Sequence, residues 1–158
     1  MPSFQKMICL VGENPLPIYL GIKEFVDRKG DDTEVILVHS SETKEEAEAI
    51  RKTCREHAGL NRTQFHLELL SHPFEPALVL DRMRELRSSY PDAALNYTGG
   101  TKVMSGFGLV TWVFMVENKN LLDRVFYLEE RTGNFHFGCC LTAWFASPAM
   151  LEPPETED

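Results

Sequence analysis

The sequence predicts an α/β fold: a Rossmann-like, mostly parallel sheet with helices on both faces and a C-terminal antiparallel β-hairpin. Three observations carry this expectation. Short apolar runs alternate four times with stretches of helical period. Turn and cap residues fall at the junctions between them. The last strand-like run, 124-RVFYLEERTGNFHFGCCL-141, turns back on itself around Gly133. Successive strand–helix units give a parallel sheet, because each helix returns the chain to begin the next strand in the same direction.

The elements follow in order. The run 6-KMICLV-11 reads as a short strand ending at Gly12. A helix from about Pro17 to Arg28 comes next, with proline in its first turn and Gly30 placed to stop it. The segment 34-EVILVH-39 is a second strand. Thr43 and Glu46 form a T-x-x-E capping box for a helix over 44–59, whose Ala47, Ile50 and Cys54 share one face. The run 64-QFHLELL-70 alternates apolar and polar residues, as a sheet-edge strand does. A helix over 75–88 carries Leu78, Met83 and Leu86 inward, and 93-AALNY-97 is the fourth strand. The helix that follows, to about Glu117, is apolar on every side (Val103, Phe107, Leu109, Val110, Trp112, Val113, Phe114, Met115). A surface helix keeps a polar face, so this one needs a second cover. The expected cover is a second copy of the chain, with Gly106 and Gly108 allowing close backbone approach; the alternative is a core helix fully covered within a monomer.

With 158 residues, 43% of them hydrophobic, the chain fits one folded domain over residues 1–151. The acidic, proline-containing tail 152–158 is expected to be disordered. A formal net charge of −8 excludes a duplex-nucleic-acid surface, which needs clustered lysines and arginines. Four cysteines without CxxC spacing, and no signal-peptide pattern at the N-terminus, point to packing roles in a reducing, cytoplasmic setting. The apolar stretch 103–116 is too short to span a membrane.

In a sheet of this kind ligands bind beyond the carboxyl ends of the strands, where strand order reverses. Two loops there stand out. In 98-TGGTK-102, Gly99 and Gly100 let the backbone turn sharply, and the helix start offers unpartnered N–H groups that favour an anion. Thr98 and Thr101 add hydroxyls, Lys102 a charge, and Asn96 ends the preceding strand. The first loop supplies Gly12, Glu13, Asn14, Pro15 and Leu16; Ser40 and Ser41 follow the second strand and reach toward the same crevice. If the first and fourth strands are neighbours, the first and last of these loops face each other. Neither a Walker A motif nor a dinucleotide G-x-G-x-x-G is present, since Lys102 is followed by Val103 and the first loop reads GENPLP. No histidine grouping has metal-ligand spacing and no nucleophile elbow occurs, so neither a metal nor a cofactor is expected.

The stretches 96-NYTGGTK-102 and 12-GENPLP-17, set after the fourth and first strands, resemble those of a CRISPR-associated Rossmann fold (CARF) domain. This is the cyclic-oligoadenylate sensor of type III CRISPR systems, and the likeness is to the branch fused to restriction-like nucleases or membrane effectors. It extends from Met7 to about Ala146. It implies a two-fold homodimer, with higher oligomers open, binding a ring of linked adenylates, cyclic tetra-adenylate before cyclic hexa-adenylate. By position, Asn96, Thr98, Gly99, Gly100, Thr101 and Lys102 would hold phosphate and ribose, and Gly12, Glu13, Asn14, Pro15 and Leu16 the adenine side. It also implies an effector domain, which these residues do not contain; a fragment of a larger, even membrane-anchored, protein and a standalone binder both stay open.

Three functions therefore compete. The first is an allosteric sensor for antiviral defence. The second is a ring nuclease that cleaves its own ligand through a positioned 2′-hydroxyl, although neither glycine loop supplies a histidine as base. The third is an interaction domain in which TGGTK only caps a helix.

Overall fold

The computed structural model describes residues 5–30, 32–57, 59–113, 125–128 and 135–137. Strands β1 (Lys6–Leu10), β2 (Glu34–His39), β3 (Gln64–Leu69) and β4 (Ala93–Asn96) alternate with helices α1 (Leu16–Lys29), α2 (Lys44–Glu56), α3 (Pro76–Ser89) and α4 (Lys102–Val113). Strands β5 (Val125–Leu128) and β6 (Phe135–Phe137) complete one sheet in the order β3-β2-β1-β4-β5-β6. The first five strands are parallel and β6 runs antiparallel to β5. The fold class read from the sequence is the one observed. The hairpin turn at 131–134, the end of the fourth helix, Cys139, Cys140 and the tail at 152–158 lie outside the described residues.

The chain moves outward from β1 to the edge at β3, then crosses through α3 to place β4 against the other side of β1. Strand order thus reverses between β1 and β4, whose register pairs Cys9 with Asn96. Side chains alternate across a strand, so β1 feeds two cores at once. Met7, Cys9 and Val11 face α1 and α2, against Ile18, Ile22, Ile50 and Cys54. Ile8 and Leu10 face α3 and α4, against Val79, Met83, Met104 and Trp112. Every residue of 7–11 is at most 1% exposed, which is why this strand reads as an unbroken apolar run. Burial pushes the Cys9 thiol far above its usual range and the Cys54 thiol up to about 12, so both act as apolar packing groups.

Two local expectations are corrected. In α3 the inward residues are Val79, Met83 and Leu86, while Leu78 is 42% exposed. The spacing 79, 83, 86 follows one helix face, and Leu78 lies about 100° away from it. The T-x-x-E capping box does not form. Thr43 has φ −107° and ψ 19°, outside the extended conformation an N-cap adopts, and its side chain makes no cap. It turns back to Ser40, whose backbone N–H donates to Thr43 Oγ1 at 3.1 Å, while Thr43 N–H donates to Ser40 Oγ at 3.3 Å.

Edge strand β3 is clamped to α3 by a polar cluster. Glu68 accepts from Arg82 at 2.6 Å and from the Tyr90 hydroxyl at 2.9 Å, and Arg82 Nε donates to Leu69 O at 3.2 Å. Desolvation, then the bond to Glu68, pushes the Tyr90 hydroxyl from 10.0 to about 12. A raised tyrosine favours the fold while protonated, so its contribution is whole below pH 10.0 and is lost as pH rises through about 12. Tyr90→Phe is expected to cost about 1 kcal/mol at neutral pH. Denaturant titrations should show the wild-type advantage shrinking only in that alkaline window.

Candidate functional site

The loops leaving β1, β2, β3 and β4 surround one cleft of about 490 Å³ at the carboxyl end of the sheet. Pockets of this volume hold small molecules. After β1, Val11, Gly12 and Glu13 form one wall, and Ser40, Glu42 and Thr43 follow from β2. Pro73 and Phe74 come from the β3–α3 loop, and residues 100–104 from the start of α4.

The β4–α4 loop is built in layers. Asn96 ends β4 fully buried, and its Oδ1 accepts from Thr98 N–H at 3.1 Å and Thr98 Oγ1 at 2.6 Å. That side chain bends the backbone out of the sheet. Gly99 then passes directly over β1: a Cβ there would stand 2.3 Å from Leu10 O. Gly100 adopts φ +82°, a left-handed conformation that glycine takes without a Cβ clash. A Cβ on Gly12 would stand 2.9 Å from Gly100 N, so the two glycine loops meet back to back across the β1/β4 switch.

Helix α4 starts where this loop ends. Thr101 is its cap, since Met104 N–H donates to Thr101 Oγ1 at 3.1 Å and Ser105 N–H to Thr101 O at 2.9 Å. The Thr101 hydroxyl in turn donates to Pro73 O at 2.7 Å, tying the β3–α3 loop to the cap. The N–H groups of Lys102 and Val103 precede the first helical bond and have no acceptor within the helix. Lys102 is exposed at this terminus, with no carboxylate partner among the described residues. A helix N-terminus with a lysine favours an anion there. On other walls the exposed carboxylates of Glu13 and Glu42 repel anions and accept from hydroxyl or amino donors. The cleft therefore suits a ligand with a phosphate at one end and hydrogen-bond donors at the other.

Of the residues singled out in the sequence, Gly12, Glu13, Ser40, Gly100, Thr101 and Lys102 line this cleft. Asn96, Thr98 and Gly99 build the loop beneath it. Asn14 turns toward α1, accepting from Leu16 N–H at 3.2 Å; Pro15 precedes that helix and Leu16 opens it, 58% exposed. Ser41 is exposed between Ser40 and Glu42. The sequence reading did not include Val11, Glu42, Pro73, Phe74, Val103 or Met104, and it gave Thr43 a helix-capping role instead. The signal for the third loop was available: 71-SHPFEP-76 places a phenylalanine in a polar turn at the carboxyl end of a parallel strand.

On α4, Met104, Gly108, Thr111 and Trp112 are buried against the sheet, and Trp112 Nε1 donates to Ala93 O at 3.0 Å. Gly108 is not available to a second backbone, because a Cβ on it would lie 3.3 Å from both Leu10 and Leu95 side chains. The exposed stripe is Lys102, Gly106 and Val110, running away from the cleft, and Gly106 has open space around it. Among the described residues no helix is long and apolar enough to cross a membrane.

The model of one protein family, the Card1 CARF domain, matches residues 7–140. Among solved structures, this fold is similar to that of Can2 from Sulfobacillus thermosulfidooxidans, determined in complex with cyclic tetra-adenylate. The TM-score is 0.63 at 19% identity, covering 85% of this chain and 37% of that one. The chain thus spans little more than a third of that neighbour's length, and the likeness is one of fold. A comparison with curated protein sequences found no match.

Proposed function

The chain belongs to the Card1 CARF domain family, and from that premise we propose that it is a sensor domain for a cyclic oligoadenylate, cyclic tetra-adenylate above all, in type III CRISPR antiviral defence. One observation carries the reading: the start of α4 opens into the cleft at the β1/β4 switch point with Gly100, Thr101 and Lys102 on its wall. Phosphodiesters of the ring would lie against the Lys102 and Val103 N–H groups and the Lys102 ammonium. Ribose hydroxyls and adenine amino groups would turn toward Glu13, Glu42 and Ser40. Asn96, Thr98 and Gly99 would hold the loop in shape, and residues 14–16 and Ser41 would form the rim.

A cyclic tetra-adenylate is itself symmetric and carries one negative charge per phosphate. A single cleft supplies one lysine, so the ring is best matched by two copies related by a two-fold axis. The exposed stripe of Lys102, Gly106 and Val110 supports a seam along α4, continuous with the ligand site. The ring can change the geometry of such a pair only by binding one arrangement more tightly. That difference is what would reach an effector.

Thermal unfolding with each ring tests the reading. A ligand at about 100 times its Kd stabilises the native state by about 2.7 kcal/mol. Cyclic tetra-adenylate is expected to raise Tm more than the hexa-adenylate, and chromatography should recover the ring intact. Linear product would instead make the domain a ring nuclease. No shift with either ring would sink the sensor proposal.

A further inference from the structure

The β3–α3 loop forms the third wall of the cleft, and the functional reading so far gives it no task. Its Phe74 is 63% exposed and borders the same cavity as Lys102. The loop around it is held from three sides. At its start Leu70 is 2% exposed and its N–H donates to His39 O at 2.8 Å. Within it, Glu75 N–H donates to His72 O at 3.3 Å, and His72 Nδ1 lies 3.3 Å from Glu75 Oε1. Across the cleft, the Thr101 hydroxyl donates to Pro73 O at 2.7 Å. Phe74 and Lys102 are therefore each the next residue after a hydrogen-bonded pair, which sets an aromatic ring beside the anion-binding helix start. A large apolar side chain left in water on a fixed turn is already ordered for an occupant, so little conformational entropy is lost when it is covered.

We propose that Phe74 is a base-stacking and specificity-determining residue: a nucleobase whose phosphate rests at the start of α4 packs its face on the Phe74 ring. The inference rests on the sensor reading and names one of its contacts. A planar heterocycle fits better than an aliphatic chain, because the same cleft is lined by Glu13 and Glu42, whose carboxylates accept from exocyclic amino and ribose hydroxyl groups. Stacking is tolerant of base identity, whereas those carboxylates favour a base with an amino donor. The Thr101–Pro73 bond also gives the base and phosphate contacts a common strut.

The test uses the full chain, cyclic tetra-adenylate, and the variants Phe74→Ala, Phe74→Leu and Phe74→Trp, with sedimentation to follow oligomeric state. Phe74→Ala is expected to weaken binding by roughly 5- to 150-fold, the span of one base–aromatic stack. Phe74→Leu should stay weak, whereas Phe74→Trp should bind like wild type and show quenching of the new indole on titration. Melting curves of all four proteins should coincide without ligand, since the side chain is mostly in solvent. Wild-type affinity in Phe74→Ala, or full recovery by Phe74→Leu, overturns the stacking role. So does a loss of affinity that tracks a loss of dimer, which would make Phe74 an interface residue. If the wild type binds no ring at all, it is the sensor reading that fails.

Discussion

Gly99→Ala is expected to destabilise the domain by about 3 kcal/mol or more and to remove ligand binding with it. The new Cβ would stand 2.3 Å from Leu10 O and 2.8 Å from Ile18 Cδ1. The Ile18 contact could relax by a rotamer change, but the Leu10 carbonyl belongs to the buried strand at the middle of the sheet. Either β1 or the β4–α4 loop has to move. Overpacking a well-fitted interior costs about 1–3 kcal/mol, and a backbone obstacle sits at the upper end or beyond. For a chain of this size 1 kcal/mol shifts Tm by about 2–4 °C, so a fall of roughly 6–12 °C is expected in calorimetry. Gly106→Ala is the control: nothing lies within 4 Å of its added Cβ. There the change should leave the isolated fold unharmed, or add about 0.5–1 kcal/mol through helix propensity. A Gly99→Ala protein as stable as wild type would show that the loop does not press on β1 as described.

Lys102→Ala is expected to act on binding and not on folding. The side chain is exposed and has no carboxylate partner among the described residues, so stability should change by less than about 0.5 kcal/mol. Cyclic tetra-adenylate should bind more weakly by about 1.5–3 kcal/mol per lost charge-assisted hydrogen bond. In a two-fold site both copies lose the lysine, so the total loss is expected at about 3–6 kcal/mol. Calorimetric titration of the variant reads this directly, and unchanged affinity would take Lys102 out of the site. Paired with Gly99→Ala, it separates a residue that meets the ligand from one that shapes the loop.

Those two neighbours show what the sequence could and could not reveal. Consecutive strand–helix units made the parallel direction of the strands legible, but the pairing of β1 with β4 entered only as a condition, which the structure meets. Given that condition, the composition of 98-TGGTK-102 pointed to the end of the sheet where the cleft lies. The division of labour inside the motif was not legible. Two adjacent glycines read as freedom for a ligand to approach, yet Gly99 is held against Leu10 O and only Gly100 lines the cleft. The difference depends on a strand some 90 residues earlier in the chain, which no local pattern contains.

The same limit explains the other departures. Leu78, Val79 and Leu80 are all apolar, so periodicity alone does not say which one faces the sheet. Thr43 carries a capping signature, but Ser40, only three residues away, supplies a competing partner for its side chain. The β3–α3 loop joins the site through the Thr101–Pro73 bond, which spans 28 residues. Contacts of that kind are set by topology and not by motif.

The most direct measurement of the account is the stoichiometry of a calorimetric titration with cyclic tetra-adenylate, run alongside sedimentation of the free and bound chain. The expected result is saturation at one ring per two chains, on a species that sediments as a two-fold pair, with the ring recovered intact. Saturation at one ring per chain on a monomer, or no saturable binding, would contradict a composite site built across the start of α4.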